Sequence, residues 1–290
     1  MKNRKRVSLV LGSGGARGYA HIGVIEELER RGYEIVSVSG ASMGALIGGF
    51  YACGKLQEYK EWVLGLDVIE LGTLLDFSFE TAGLIKGDKL FNKLYEFIGK
   101  QDIESLPISL TIVATDILNK KEKWFQAGDL LEAIRASISI PTFFIPVKKD
   151  GMILADGGIL NPLPVAPTMS DKSDLTIAVN LYADTPLPTI KINKEEEKRV
   201  ESFTKLFYSM FQKNFSKNES LNMLDILDKT FDAMQYTLTN YRLGGYPPDI
   251  LIDIPKDVCN TYDFHKASEV IRVGRVLARE KLDYELNPSK

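Results

Sequence analysis

The sequence predicts an α/β fold on a mainly parallel sheet, and three observations carry that expectation. Strand, helix, strand and helix patterns follow one another within the first fifty residues. The strand-like runs are short, β-branched and bounded by glycine, as buried parallel strands are. Of the 290 residues, 44% are hydrophobic and 26% charged, which leaves enough apolar mass for a sizeable core.

Residues 6–11 read as a short buried strand, ended by the turn GSGGARG. A helix follows over 19–31, with Ala20, Val24 and Leu28 spaced by four and Gly32 as its stop. Residues 35–39 form the next strand and 42–52 the next helix, so the crossovers are right-handed. Residues 64–88 show no sustained period and carry Leu74, Leu75, Phe77 and Phe79 among few charges. Further along, 88–98 and 130–137 read as helices, and 108–115, 153–155, 175–181 and 250–254 as strands. Apolar residues spaced by three or four make 195–242 helical, and 264–282 reads as a final amphipathic helix. With no repeat and no Pro/Gly linker, residues 1–290 are expected to form one domain. The helical 195–242 stretch is the candidate for a subdomain or cap.

The net charge of -3 gives no general basic field for nucleic acid. With an isoelectric point near 5.6 and no basic cluster beyond MKNRKR, strong attraction to anionic membranes is not expected either. Cys53 and Cys259 lie far apart and fit no metal or redox spacing, so the reading is a reduced, cytoplasmic protein without metal or cofactor. The apolar run VSLVL is too short for a signal peptide or a membrane span, which leaves peripheral membrane contact as the mode open to it.

Two glycine-rich turns carry the chemistry. In Gly40-Ala41-Ser42-Met43-Gly44 a serine sits between glycines where a β-branched strand becomes a small-residue helix. A nucleophile on so sharp a bend needs glycine on both sides, and the helix that begins there turns its positive end toward any oxyanion. A glycine-rich helix N-cap with Ser42 as the capping residue gives the same pattern, and the motif alone does not separate the two. In GSGGARG, consecutive glycines let several backbone N–H groups converge on one anion. A dinucleotide fingerprint fails there, since neither register completes G-x-G-x-x-G and the second strand ends in serine rather than an acid. Adjacent parallel strands bring both loops to one sheet edge, so an oxyanion hole for Ser42 is the reading that joins them. Arg17 would anchor a phosphate, hold the loop, or form a plain salt bridge.

A serine also needs a proton acceptor. The chain has two histidines, His21 inside the first helix and His265 at the start of the last. Against them stands Asp156 in ILADGGILNPLP, delivered by a short apolar strand into two glycines, where a β-turn aspartate is the plainer alternative.

Taken together and in this order, GSGGARGYAHIGV, GASMG, ASISIPTFFIPV and DGGILNPLPV resemble the patatin-like phospholipase family over roughly residues 6–182. The resemblance implies a three-layer α/β/α fold and a Ser–Asp dyad without histidine, with Ser42 as nucleophile and Asp156 as base. It implies an oxyanion loop of Gly14, Gly15, Ala16 and Arg17, and a metal-free hydrolysis of lipid ester bonds. One departure is Ser13, where the family's loop usually begins with glycine. The two alternatives are a Ser42–Asp–His265 triad, whose chain order is that of α/β-hydrolases, and a non-catalytic lipid-binding protein on the same fold. Residues 64–88 and 195–242 are candidate lid or acyl-chain surfaces, and oligomeric state is left open.

Overall fold

Chain order is β1 (Arg6–Leu11), α1 (Ala20–Arg30), β2 (Glu34–Ala41), α2 (Met43–Ala52), α3 (Leu56–Gly65), α4 (Val68–Leu74), α5 (Asp88–Ile98), β3 (Ser109–Asp116), β4 (Lys121–Phe125), α6 (Leu130–Ser137), β5 (Val147–Lys149), β6 (Met152–Ala155), β7 (Leu175–Ala183), α7 (Met223–Gly245), β8 (Ile250–Pro255) and α8 (Ala267–Leu286). The structure is a computed structural model, and it describes residues 5–66, 68–74, 87–141, 143–188 and 223–286. Leu75, Phe77, Phe79 and the first part of the expected 195–242 helical stretch lie outside the described residues.

Five strands run parallel in the order β3-β2-β1-β7-β8, while β4, β5 and β6 join β3 and one another antiparallel. Alternation along β1 divides the core between the sheet's two faces. Val7, Leu9 and Leu11 belong to the large cluster with α1, α2 and α8, whereas Val10 packs with Leu163, Val165 and Ala178 beneath Leu243 of α7. Helices on both faces of the sheet make the three layers. The α1–α8 contact also carries charge: the buried Glu27 carboxylate accepts from Arg30 and Arg31, and Arg31 reaches Asp283 at 2.7 Å.

The expected elements recur with small changes of boundary, and the final helix begins at Ala267 after a single 3₁₀ turn. The stretch read as lacking a period contains the short helix α4. Helix α3 was legible but unassigned, since Leu56, Tyr59 and Val63 recur at helical spacing and the last two are buried. Strand β4, with the sequence KEKWF, buries only Phe125 and so lacks the apolar face that marks a strand.

Candidate active site

Strand register brings Ser42 and Asp156 together. Ala41 lies opposite Val113, so the next residue, Ser42, falls level with Ala114 of β3. Strand β4 fills the far edge of β3 from Ile112 to Asp116. Strand β6 pairs with Thr115 and Asp116, and must therefore occupy the edge along which β2 has just ended. It runs the opposite way, with Ala155 opposite Thr115, so Asp156 also falls level with Ala114. The two strands approach head-on along one flank of β3, and the serine and the acid meet where they stop.

The elbow holds Ser42 at φ 53°, ψ -123°, a backbone conformation that L-residues rarely adopt. Close approach explains the flanking glycines. A Cβ on Gly44 would lie 2.0 Å from the Leu11 carbonyl oxygen, and one on Gly40 would lie 2.4 Å from that of Gly44. The Ser42 N–H donates to Ser137 Oγ at 2.9 Å, and Ser137 Oγ in turn donates to the Val113 carbonyl at 2.6 Å. This relay pins the elbow to β3, and Ser137 was not singled out in the sequence.

Ser42 Oγ donates directly to Asp156 Oδ2 at 2.5 Å, so no imidazole stands between them. The other carboxylate oxygen accepts the Gly158 N–H at 2.7 Å. Asp156 is wholly buried, and loss of solvation pushes its carboxyl up to about 7, against the downward pull of the Ser42 and Gly158 hydrogen bonds. Around Gly158 the site is crowded with polar atoms. A Cβ there would lie 2.5 Å from the Ser13 hydroxyl, 2.8 Å from the Gln235 amide nitrogen and 2.9 Å from Asp156 Oδ1. Gln235 comes from α7, beyond the recognisable motifs, and no sequence signal pointed to it.

The glycine loop is narrower as a donor than expected. The Ala16 N–H donates to the Thr261 carbonyl at 2.8 Å and the Arg17 N–H to the Gly14 carbonyl at 3.2 Å. Both amides are thus engaged, which corrects the inclusion of Ala16 and Arg17 among the oxyanion donors. The amides of Gly14 and Gly15 have no acceptor among the described residues, and Gly15 lines the same cavity as Ser42. The Arg17 side chain turns to a separate polar cavity of about 530 Å³, where it forms a two-point pair with Asp232 of α7 at 3.0 and 3.1 Å. Its Nε donates to the carbonyls of Lys256 and Cys259, so the residue ties the loop to α7 and the segment after β8.

His21 braces the loop from beneath, with Nε2 donating to the Gly12 carbonyl at 2.8 Å. Burial pushes this imidazole down to about 4, which keeps it neutral. His265 is half-buried and likewise pushed down to about 4 by burial. The cavity at Ser42 is apolar, walled by Met43, Leu46, Trp62, Leu94, Phe143 and Phe144. Leu74, at the end of α4, also lines it. Among the described residues no cluster of side chains could hold a metal ion, and no helix is long and apolar enough to cross a membrane.

The family model for patatin-like phospholipase matches residues 9–169. The chain belongs to the patatin-like phospholipase family. The match takes in both glycine turns and the Asp156 strand, and ends shortly before β7. An "Uncharacterized NTE family protein" of Mycobacterium tuberculosis strain H37Rv is similar to this patatin-like chain, at 39% identity over 329 residues, covering 96% of this chain and 91% of that protein. "Patatin-like phospholipase domain-containing protein 6" of Homo sapiens is 32% identical over 192 residues, 63% of this chain and 14% of that protein. Among solved structures, VipD from Legionella pneumophila aligns over 96% of this chain and 67% of its own, with a TM-score of 0.47 and 15% identity.

Proposed function

We propose that this patatin-like protein is a serine acyl hydrolase that cleaves carboxylic ester bonds of lipids, with Ser42 as nucleophile and Asp156 as its base. The observation that carries this reading is the buried 2.5 Å hydrogen bond from Ser42 Oγ to a carboxylate. An exposed aspartate near 3.9 is a poor proton acceptor, but one held near 7 by burial is matched to neutral pH. The apolar cavity at Ser42 suits an acyl chain rather than a polar acyl group.

In the reaction, Ser42 Oγ bonds to the ester carbonyl carbon while its proton passes to Asp156 Oδ2. The carbonyl electrons move onto oxygen, where the free Gly14 and Gly15 amides hold the anion; each such donor is worth roughly 2.7–4 kcal/mol in the transition state. Collapse expels the alcohol, which leaves with the proton from Asp156. Water then attacks the acyl-serine, gives its proton to Asp156, and the acid departs as Ser42 recovers its hydrogen. No step needs a metal, and neither histidine takes part.

A fluorophosphonate probe with peptide mass spectrometry tests the assignment. Labelling at Ser42 should vanish in Ser42→Ala, collapse in Asp156→Asn and persist in His265→Ala. Loss of labelling in a folded His265→Ala would instead favour a Ser–Asp–His arrangement. A folded wild type that binds lipid yet takes no label and hydrolyses no ester would favour the non-catalytic reading.

A further inference from the structure

We propose that the turns joining β3 to β4 and β5 to β6 form a docking tip that seats the protein on an anionic lipid surface, with the Ser42 edge facing the bilayer. This rests on the lipid-ester reading above and adds how such a substrate is met. Strand β3 continues past the level of Ser42: Ala114 is level with the serine, and the chain does not turn until Ile117–Lys120. At about 3.3 Å per residue, that turn stands about 10 Å beyond the serine, on the same edge of the sheet. Strand β6 extends beside it, with the Ile117 N–H donating to the Ile153 carbonyl at 3.0 Å, and the Asp150–Gly151 turn projects the same way.

The tip has the composition of an interfacial anchor. Ile117 and Leu118 are 42% and 57% exposed, and Trp124 on β4 is 40% exposed behind them. Isolated apolar residues on a surface need no explanation, but here two adjacent ones crown a fixed turn. Asp116 fixes it by accepting from the Leu118 N–H at 3.1 Å and from Asn119 Nδ2 at 2.6 Å. The apolar pair is therefore presented on a turn that is already held, which lowers the ordering cost of binding.

Charge points the same way. Lys120, Lys121 and Lys148 flank the tip and have no ion-pair partner among the described residues, Lys123 stands further back with its ammonium over the Phe125 ring, and Asp150 is the exposed acid between them. Lysines on an edge strand also deter strand pairing, which accounts for Lys121 and Lys123. It covers Lys148 on the edge strand β5 as well, but it does not account for Lys120, in the turn, nor for the exposed Ile117–Leu118 pair. Aliphatic tip, tryptophan and unpaired lysines together fit a bilayer interface bearing anionic headgroups. The chain's net charge of -3 hid this patch, because the excess acid lies elsewhere.

Co-sedimentation with vesicles tests the proposal, using phosphatidylcholine alone and phosphatidylcholine mixed with phosphatidylglycerol. Wild type should bind the mixed vesicles and release in high salt. Binding should fall about tenfold or more in Lys120→Gln/Lys123→Gln/Lys148→Gln and in Ile117→Ser/Leu118→Ser. Both variants should hydrolyse a soluble short-chain p-nitrophenyl ester at the wild-type rate, since neither touches the site. Variants that bind as wild type does, or a wild type that ignores both vesicles, would overturn the docking tip; the latter is also the result if the tip meets a soluble protein. A wild type that binds anionic vesicles through these residues but cleaves no ester would sink the catalytic reading and leave the tip standing.

Discussion

Replacing Asp156 by Asn should abolish turnover and stabilise the protein, and the stabilisation should depend on pH. In the folded protein the carboxyl is held at about 7 against an ordinary 3.8. Because the folded value lies above the unfolded one, the folded state binds a proton that the unfolded state has lost throughout the interval between them. The contribution of this carboxyl to stability is therefore lost as pH rises from about 4 to about 7. At about 1.36 kcal/mol per pH unit, that interval corresponds to about 4 kcal/mol of strain in the ionised, buried Asp156. Asn has the same shape and never ionises, so its advantage over Asp should be largest above pH 7.5 and shrink by that amount near pH 4. At about 2.1 cal/mol/K per residue, 290 residues convert 4 kcal/mol into a Tm shift of about 7 °C. Differential scanning fluorimetry from pH 4 to 8.5 measures it. The same carboxylate must be ionised to accept a proton, so wild-type kcat/KM should climb through a limb near pH 7 and Asp156→Asn should lose about 10³-fold or more. A Tm difference that is flat with pH, or an active Asp156→Asn, would refute the reasoning.

Three other substitutions probe the scaffold of the site. Gly44→Ala drives a methyl into the Leu11 carbonyl, and should lower stability by about 1–3 kcal/mol or more in urea unfolding and remove fluorophosphonate labelling. Ser137→Ala strands the buried Ser42 N–H, at about 1–3 kcal/mol by chemical denaturation, and should lower kcat more than it changes KM. Arg17→Met leaves Asp232 facing the loop without its partner and should destabilise by about 3 kcal/mol; adding Asp232→Leu should restore most of that, as a double-mutant cycle would show.

The proposed nucleophile, its proposed base and the alternating elements carry local signals. A β-branched run ending in Gly40-Ala41-Ser42, or an apolar run ending in Asp156-Gly157-Gly158, carries its turn chemistry within a few residues. What the sequence hid is long-range. That Ala16 spends its amide on Thr261, and Arg17 its side chain on Asp232, depends on segments more than 200 residues away. Separation along the chain also hid Gln235, which is buried against the Asp156 turn from a helix that reads as merely amphipathic. Strand β4 was missed for the opposite reason: at an edge, with one buried residue in five, it has no local pattern to read.

The proposed Ser–Asp pair has to obtain from the fold what histidine supplies by its own chemistry, an acceptor near neutral pH. The head-on meeting of β2 and β6 achieves this by ending both strands within the sheet, where the carboxylate is sealed from water, rather than in an exposed loop. The neighbouring glycine loop rests on a second buried titratable group of opposite sign. His21, held near 4 against an ordinary 6.5, refuses a proton that the unfolded chain accepts, so it lowers stability as pH falls below about 6.5. Asp156 raises stability over the same descent, and between about pH 4 and 6.5 the two slopes, each about 1.36 kcal/mol per pH unit, oppose one another. His265, also held near 4 by burial, adds a slope of the same sign as that of His21, so wild-type stability should still fall toward acid in that window, with Asp156 offsetting part of the loss. Asp156→Asn removes one side of the balance, and its Tm should fall steeply below pH 6.5. That acid-side slope should become shallower when His21→Gln is added, leaving the part due to His265, since a glutamine amide can keep a donor toward the Gly12 carbonyl without titrating.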